Sequence, residues 1–245
     1  MVCILDSRFR GNDASISGKL AVTTLTRETS VAEVKAMGQP NIQPISFASG
    51  SLSLEGELTL LADAKGAAVI CHPHPLYGGN MHNNVVLAIE EGMQRAGLSA
   101  LRFNFRGVGA SDGGYESGVG ELGDVAAAVD EAVRQTGLEI TLAGYSFGAM
   151  MVTRAAPELS RVARAVIVAP PLSFGDLGPL ASWRQPKFVL VGDRDQYCDS
   201  TDLVRALNDL APPKDHRFLM GCDHFFGGRE EDVADAVAKF CRPSS

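Results

Sequence analysis

No stretch of these 245 residues stays apolar for the 18 or so positions that a membrane-spanning helix needs, which argues against an integral membrane protein. Positive charge is also short. Lys and Arg number 22 against 29 Asp and Glu, and a net charge of −7 argues against nucleic acid or an anionic membrane as partner. The five cysteines, Cys3, Cys71, Cys198, Cys222 and Cys241, form no paired framework and no common zinc spacing, so a reduced, cytoplasmic interior is expected. No internal repeat or low-complexity tract is visible. With 45% hydrophobic residues the chain is long enough to bury a full core.

What is present alternates. Residues 52–61 read as an early antiparallel strand, and Ala67–Cys71, Ala100–Phe105, Leu138–Ala143, Val166–Ala169 and Phe218–Met220 as further strands. Between them run helical spacings such as Val85, Ile89, Met93, then Val125, Val129, Val133, and finally Val233, Val237, Phe240. Strands alternating with helices predict an α/β protein, a mostly parallel sheet flanked by helices on both faces. Residues 1–40 lack this periodicity and carry no signal-peptide pattern; they read as a poorly ordered extension in which Met37 is an alternative start, with the domain proper over 41–245.

Gly144-Tyr145-Ser146-Phe147-Gly148 lies between a strand and the small-residue helix that begins Ala149-Met150-Met151-Val152. A G-x-S-x-G in that context is a nucleophile elbow: the serine occupies a sharp turn with its hydroxyl exposed, and the glycines let two backbones pass closely. Two later post-strand turns supply partners in the order serine, acid, histidine. They are Gly192-Asp193-Arg194-Asp195 and Gly221-Cys222-Asp223-His224. Side chains at the carboxyl ends of parallel strands converge, so Ser146 is expected as nucleophile, His224 as base and Asp195 as the acid that orients it. Asp193 is the rival acid. Asp199 reads as a helix cap, Asp223 as a turn residue and His216 as solvent-facing.

The loop Cys71-His72-Pro73-His74-Pro75-Leu76-Tyr77-Gly78-Gly79-Asn80 follows an early strand, where half of an oxyanion hole is expected. Prolines have no N–H, which leaves His74, Leu76 and Tyr77 as donors; His74, two residues past the strand, is the expected one, with Phe147 as the second. A metal site at His72, His74 and His82 is the competing reading of the same loop. Arg106 reads as a loop tie rather than a substrate ligand, and Cys71, Cys198 and Cys222 as packing residues.

Taken together, His72-Pro73-His74-Pro75 with Tyr77-Gly78-Gly79-Asn80-Met81, Leu101 to Gly109 with Ser111, the Ser146 elbow and Asp223-His224-Phe225-Phe226 make residues 45–241 resemble the small capless α/β-hydrolases of bacteria, related to the dienelactone hydrolases. The resemblance implies the α/β-hydrolase fold, a Ser146, Asp195, His224 triad and carboxylic-ester hydrolysis. Dienelactone hydrolases proper use cysteine where this elbow has serine, so their lactone substrate is not implied.

Only residues 170–186, broken by Pro170, Pro171, Pro179 and Pro186, are available where lid domains usually enter. No separate lid domain is expected. A short helix near Gly178–Trp183 is, with Leu172, Phe174, Leu177, Leu180 and Trp183 as candidate lining of a small open pocket. The resulting expectation is a serine esterase of short-chain esters, with a small-molecule ester as its partner, possible self-association, and no metal or organic cofactor. A thioesterase or acyltransferase would use the same triad, and a noncatalytic binding protein would lack one of its members.

Overall fold

The computed structural model describes residues 41–242; the extension expected over residues 1–40, and Cys3 with it, lies outside the described residues. Eight strands form one sheet: β1 (Asn41–Ser49), β2 (Leu52–Leu60), β3 (Gly66–Cys71), β4 (Leu98–Phe103), β5 (Ile140–Tyr145), β6 (Val162–Val168), β7 (Lys187–Gly192) and β8 (Lys214–Leu219). Five α-helices join them: α1 (Asn84–Arg95), α2 (Gly120–Thr136), α3 (Phe147–Ala155), α4 (Ser200–Asp209) and α5 (Glu230–Cys241). The strand order is β1-β2-β4-β3-β5-β6-β7-β8. β2 runs antiparallel to both of its neighbours, and all later pairs are parallel. This is the expected mostly parallel sheet between helical layers. Among the described residues no helix is long and apolar enough to cross a membrane.

The two-residue side-chain period of a strand sorts the core into two halves. In β5, Ile140 and Leu142 join the core under α2, α3 and α4, while Ala143 and Tyr145 join the core under α1 and α5. In β6, Ala165 and Ile167 take the first side and Val166 and Val168 the second. Glycine sets how closely α1 and α5 approach: a Cβ on Gly92 would lie 2.6 Å from the Ala234 carbonyl oxygen and 2.8 Å from the Val237 Cβ.

The chain's last strand is longer than its hydrophobicity suggests. Phe218–Met220 was the expected strand, whereas β8 starts at Lys214 and includes Lys214, Asp215, His216 and Arg217, all exposed. Its first four residues bury no side chain and so carry no alternation to read, and charge on an edge strand blocks pairing with another sheet. His216 is exposed there, as expected of it.

Because β3, β5, β7 and β8 are parallel, the loops after them open at one end of the sheet. Those loops carry His74, Ser146, Asp195 and His224. The loop after β3 is anchored from a neighbouring strand. Arg102, buried in β4, donates to Glu90 at 2.6 Å, Glu57 at 2.6 Å and the Met81 carbonyl at 2.7 Å, and the Asn104 side chain accepts the Met81 N–H at 2.8 Å.

Candidate active site

Ser146 is the single residue between β5 and α3 and has φ 55° and ψ −116°. An L-residue held there costs on the order of 1–3 kcal/mol, so the surroundings must impose it. They do so through backbone. The Ser146 N–H donates to the Val168 carbonyl of β6 at 2.9 Å, and the Ser146 carbonyl accepts from Met150 of α3 at 3.2 Å. A Cβ on Gly144 would run into Gly148, and one on Gly148 into the Cys71 and His72 carbonyl groups at the end of β3. With glycine at both places β5, α3 and β3 close together, and the serine side chain is left pointing out of the turn.

His224 Nε2 lies 2.9 Å from Ser146 Oγ and His224 Nδ1 lies 2.8 Å from Asp195 Oδ2. Both partners of the imidazole–carboxylate pair are shielded, with side chains 5% and 0% exposed. A carboxylate can only accept, so Nδ1 carries the proton and the Nε2 lone pair faces the serine hydroxyl. The other Asp195 oxygen accepts the Tyr197 N–H at 2.8 Å, and the Tyr197 ring meets the imidazole edge to face at 4.8 Å.

The two aspartates after β7 have divided their work. Asp193 does not touch the imidazole; its Oδ1 accepts the N–H groups of Gly221 and Cys222 at 2.5 and 3.2 Å and holds the loop that carries His224. Gly192 lets that loop pass, since a Cβ there would overlap the Cys222 carbonyl. Tyr145 adds a third tie by donating its hydroxyl to the His224 carbonyl at 3.0 Å, and burial pushes its pKa up, which keeps it a donor. Asp199 caps α4 through the N–H groups of Thr201 and Asp202, and Asp223 accepts from Phe225 in a local turn. Tyr145 and Tyr197 are not among the expected site residues. Tyr145 lies inside the elbow motif and Tyr197 two residues past Asp195, but nothing in the local pattern says that either reaches the histidine.

In the loop after β3 the Leu76 N–H is taken by His74 Nδ1 at 3.2 Å, and the Tyr77 N–H by the His74 carbonyl at 3.1 Å. The N–H groups of His74 and Phe147 have no partner among the described residues. His74 Nε2 lies 3.2 Å from the Tyr115 hydroxyl, and its ring packs among Tyr77, Tyr115 and Phe147; burial lowers its pKa. His72 is fully buried and both of its ring nitrogens are spent: Nε2 accepts the Phe105 N–H at 3.0 Å and Nδ1 donates to the Pro73 carbonyl at 2.6 Å. That leaves no lone pair on His72 for a metal, and the competing reading of this loop loses its first ligand.

A cleft of about 970 Å³ opens above Ser146. It is roomier than the small pocket expected from the short 170–186 connection, because other loops build most of it. Of the five apolar residues expected to line it from that connection, only Phe174 does. Leu177 and Leu180 are buried in the core, and Leu172 and Trp183 pack against it. The prolines limit regular structure there to a 3₁₀ turn, Gly178–Leu180, whose apolar side chains cover the sheet. All four tyrosines of the chain line the cleft: Tyr77, Tyr115, Tyr145 and Tyr197.

Arg106 and the cysteines serve structure. The Arg106 guanidinium donates to buried Asp124 through Nε at 3.0 Å and Nη2 at 2.8 Å, and to Glu116 through Nη1 at 2.7 Å. Cys71, Cys198, Cys222 and Cys241 are free, buried and outside the cleft lining. Burial pushes their thiols up, Cys198 to about 12, so they remain protonated.

Comparison with known proteins adds three findings. Residues 62–179 match the family described as serine aminopeptidase, S33, a span that includes Ser146 but ends before Asp195 and His224. An uncharacterized protein of Rickettsia prowazekii is 33% identical over 180 residues, 69% of this chain and 76% of the relative. Two solved structures are similar at higher coverage. An α/β serine hydrolase homologue from Coxiella burnetii is 32% identical with TM-score 0.73, covering 80% of this chain and 96% of that one. An α/β serine hydrolase without lid from Xanthomonas campestris is 28% identical with TM-score 0.75, covering 84% and 97%.

Burial of His72 has a consequence for pH. Its pKa falls from the ordinary 6.5 to about 4, chiefly through desolvation. Above 6.5 both folded and unfolded chains hold it neutral. Between there and about 4 only the unfolded chain takes up the proton, so stability falls with pH across that window, by up to about 3 kcal/mol. Urea unfolding at descending pH is expected to show this loss in the native protein and a shallower one in His72→Gln, whose side chain does not titrate. Equal pH slopes for the two proteins would contradict it.

Proposed function

Because the chain belongs to the α/β serine hydrolase family, we propose that it hydrolyses carboxylic esters of short acyl chains through an acyl-enzyme on Ser146. One observation carries this reading: the unbroken hydrogen-bonded line from Ser146 Oγ through His224 to buried Asp195, at 2.9 and 2.8 Å, opening on the cleft. In this reading Ser146 Oγ attacks the ester carbonyl as His224 Nε2 takes its proton, and Asp195 stabilises the imidazolium. The oxyanion forms against the N–H groups of His74 and Phe147, the second of which stands at the positive end of α3. The C–O bond of the ester then breaks, and the alcohol leaves with the proton from Nε2. Water repeats the attack on the acyl-enzyme by the same route and frees the acid. None of these steps calls for a metal or an organic cofactor, and we place the enzyme in the cytoplasm, in keeping with its free, buried thiols.

The preference for short acyl groups rests on the reach of the apolar wall, which along α3 ends at the charged Arg154. A methylene gains about 0.8 kcal/mol only where apolar wall meets it, so the gain ends where the wall does. Rates on p-nitrophenyl esters are expected to give the highest kcat/KM between acetate and hexanoate, with oxygen esters ahead of thioesters. A steady climb to long chains would overturn the short-chain reading, and faster thioester cleavage would make the protein a thioesterase. The division between the aspartates gives a second expectation. Asp195→Asn should lower kcat by about 10⁴, by analogy with the serine-protease triad, and Asp193→Asn, which loses only loop hydrogen bonds, by far less. The reverse ranking would move the acid to Asp193.

A further inference from the structure

A trough leads away from Ser146 along one side of α3. Phe147, Met150, Met151 and Arg154 all line it, at the i, i+3, i+4, i+7 spacing that places four side chains on one helix face. Its walls are the turn at 115–118 and the segment 171–179, and a glycine of each packs against the ends of α3 side chains. A Cβ on Gly118 would stand 3.1 Å from Met151 Cε and 3.2 Å from Arg154 Nη1, and one on Gly175 would stand 2.5 Å from Met150 Cε. The first wall is firmly built. Glu121, fully buried, accepts the N–H groups of Glu116 and Gly118, each at 2.8 Å, and Arg154 Nη1 donates to the Gly118 carbonyl at 2.8 Å. With a rise of 1.5 Å per residue, Arg154 lies roughly 12 Å from Ser146 along the helix axis.

Among the described residues Arg154 is the only lysine or arginine that lines the cleft, and no carboxylate lies within 4 Å of it. Asp176, the one carboxylate in the lining, is on the opposite wall and accepts the Gly178 N–H at 2.7 Å. A cation in the last turn of a helix has an ordinary use in complementing the dipole. This one instead reaches sideways to the cleft wall, and its single hydrogen bond leaves Nε and Nη2 uncommitted. A guanidinium with two free nitrogens at the end of an apolar trough matches a carboxylate on the end of an alkyl chain.

We propose that the trough selects esters whose acyl chain ends in a carboxylate, with the chain lying on Phe147 and Met150 and the carboxylate on Arg154. The proposal rests on Ser146 as nucleophile: the acyl carbon bonds to Oγ as the alcohol departs, and hydrolysis then releases a dicarboxylate. The test uses p-nitrophenyl monoesters of adipate and suberate beside the neutral p-nitrophenyl esters of equal chain length, on the native protein, Arg154→Gln and Arg154→Lys. The native protein is expected to favour the monoesters in kcat/KM by on the order of tenfold, mainly through KM, as a partly exposed charge-assisted hydrogen bond would. Added salt should shrink that ratio. Arg154→Gln should bring it near one, and Arg154→Lys should keep part of it. A native ratio at or below one, or a ratio that survives in Arg154→Gln, overturns the proposal while leaving ester hydrolysis intact. Failure to cleave any of the esters overturns both readings.

Discussion

Gly148 meets the carbonyl groups of Cys71 and His72 with no side chain between them, and the site is assembled around that contact. It brings the start of α3 onto the end of β3, so the N–H of Phe147 and the loop that carries His74 arrive at the same place. It also forces the turn at Ser146 into a backbone region that an L-residue avoids. A strained serine of this kind persists only where the elements on either side are already fixed, here β5 and α3 packed into the core on opposite sides of the turn. Any larger residue at 148 would push the helix off the strand and relax the serine together with it.

A second close approach, Gly192 against the loop at Cys222, does for the histidine what Gly148 does for the serine. It sets the ends of β7 and β8 near enough for Asp193 to bind the loop backbone while Asp195 binds the imidazole. Tyr145 joins the two halves directly, because it precedes Ser146 in the chain and donates to the carbonyl of His224. Serine and histidine therefore share a buried scaffold, and a change in either strand end is felt at both.

The layered fold was legible because both faces of the central strands are buried and the helices repeat their apolar residues at helical spacing. The elbow was legible because glycine at 144 and 148 serves a single geometric purpose. Choosing between Asp193 and Asp195 was harder, since both follow the same strand end and only the path of a loop nearly thirty residues later separates them. The start of the edge strand, residues 214–217, hid for the opposite reason from the core strands, having no buried side chain. The lining of the cleft was the least legible part. Apolar residues at Leu177 and Leu180 read equally well as pocket wall or as cover for the sheet, and they turn out to be cover. Tyr115 and Arg154 reach the cleft from a turn and from a helix end, where a local pattern carries no sign of direction.

All of this places one demand on Ser146, that its hydroxyl be a nucleophile and not merely the cap of a helix. Covalent labelling of the full chain by a fluorophosphonate measures that demand directly, since the reagent reacts with an activated serine and spares ordinary ones. A single adduct per chain is expected at Ser146, which disappears in Ser146→Ala while that variant keeps its folded circular dichroism. Undiminished labelling of Ser146→Ala, or a native protein that stays unlabelled, would contradict it.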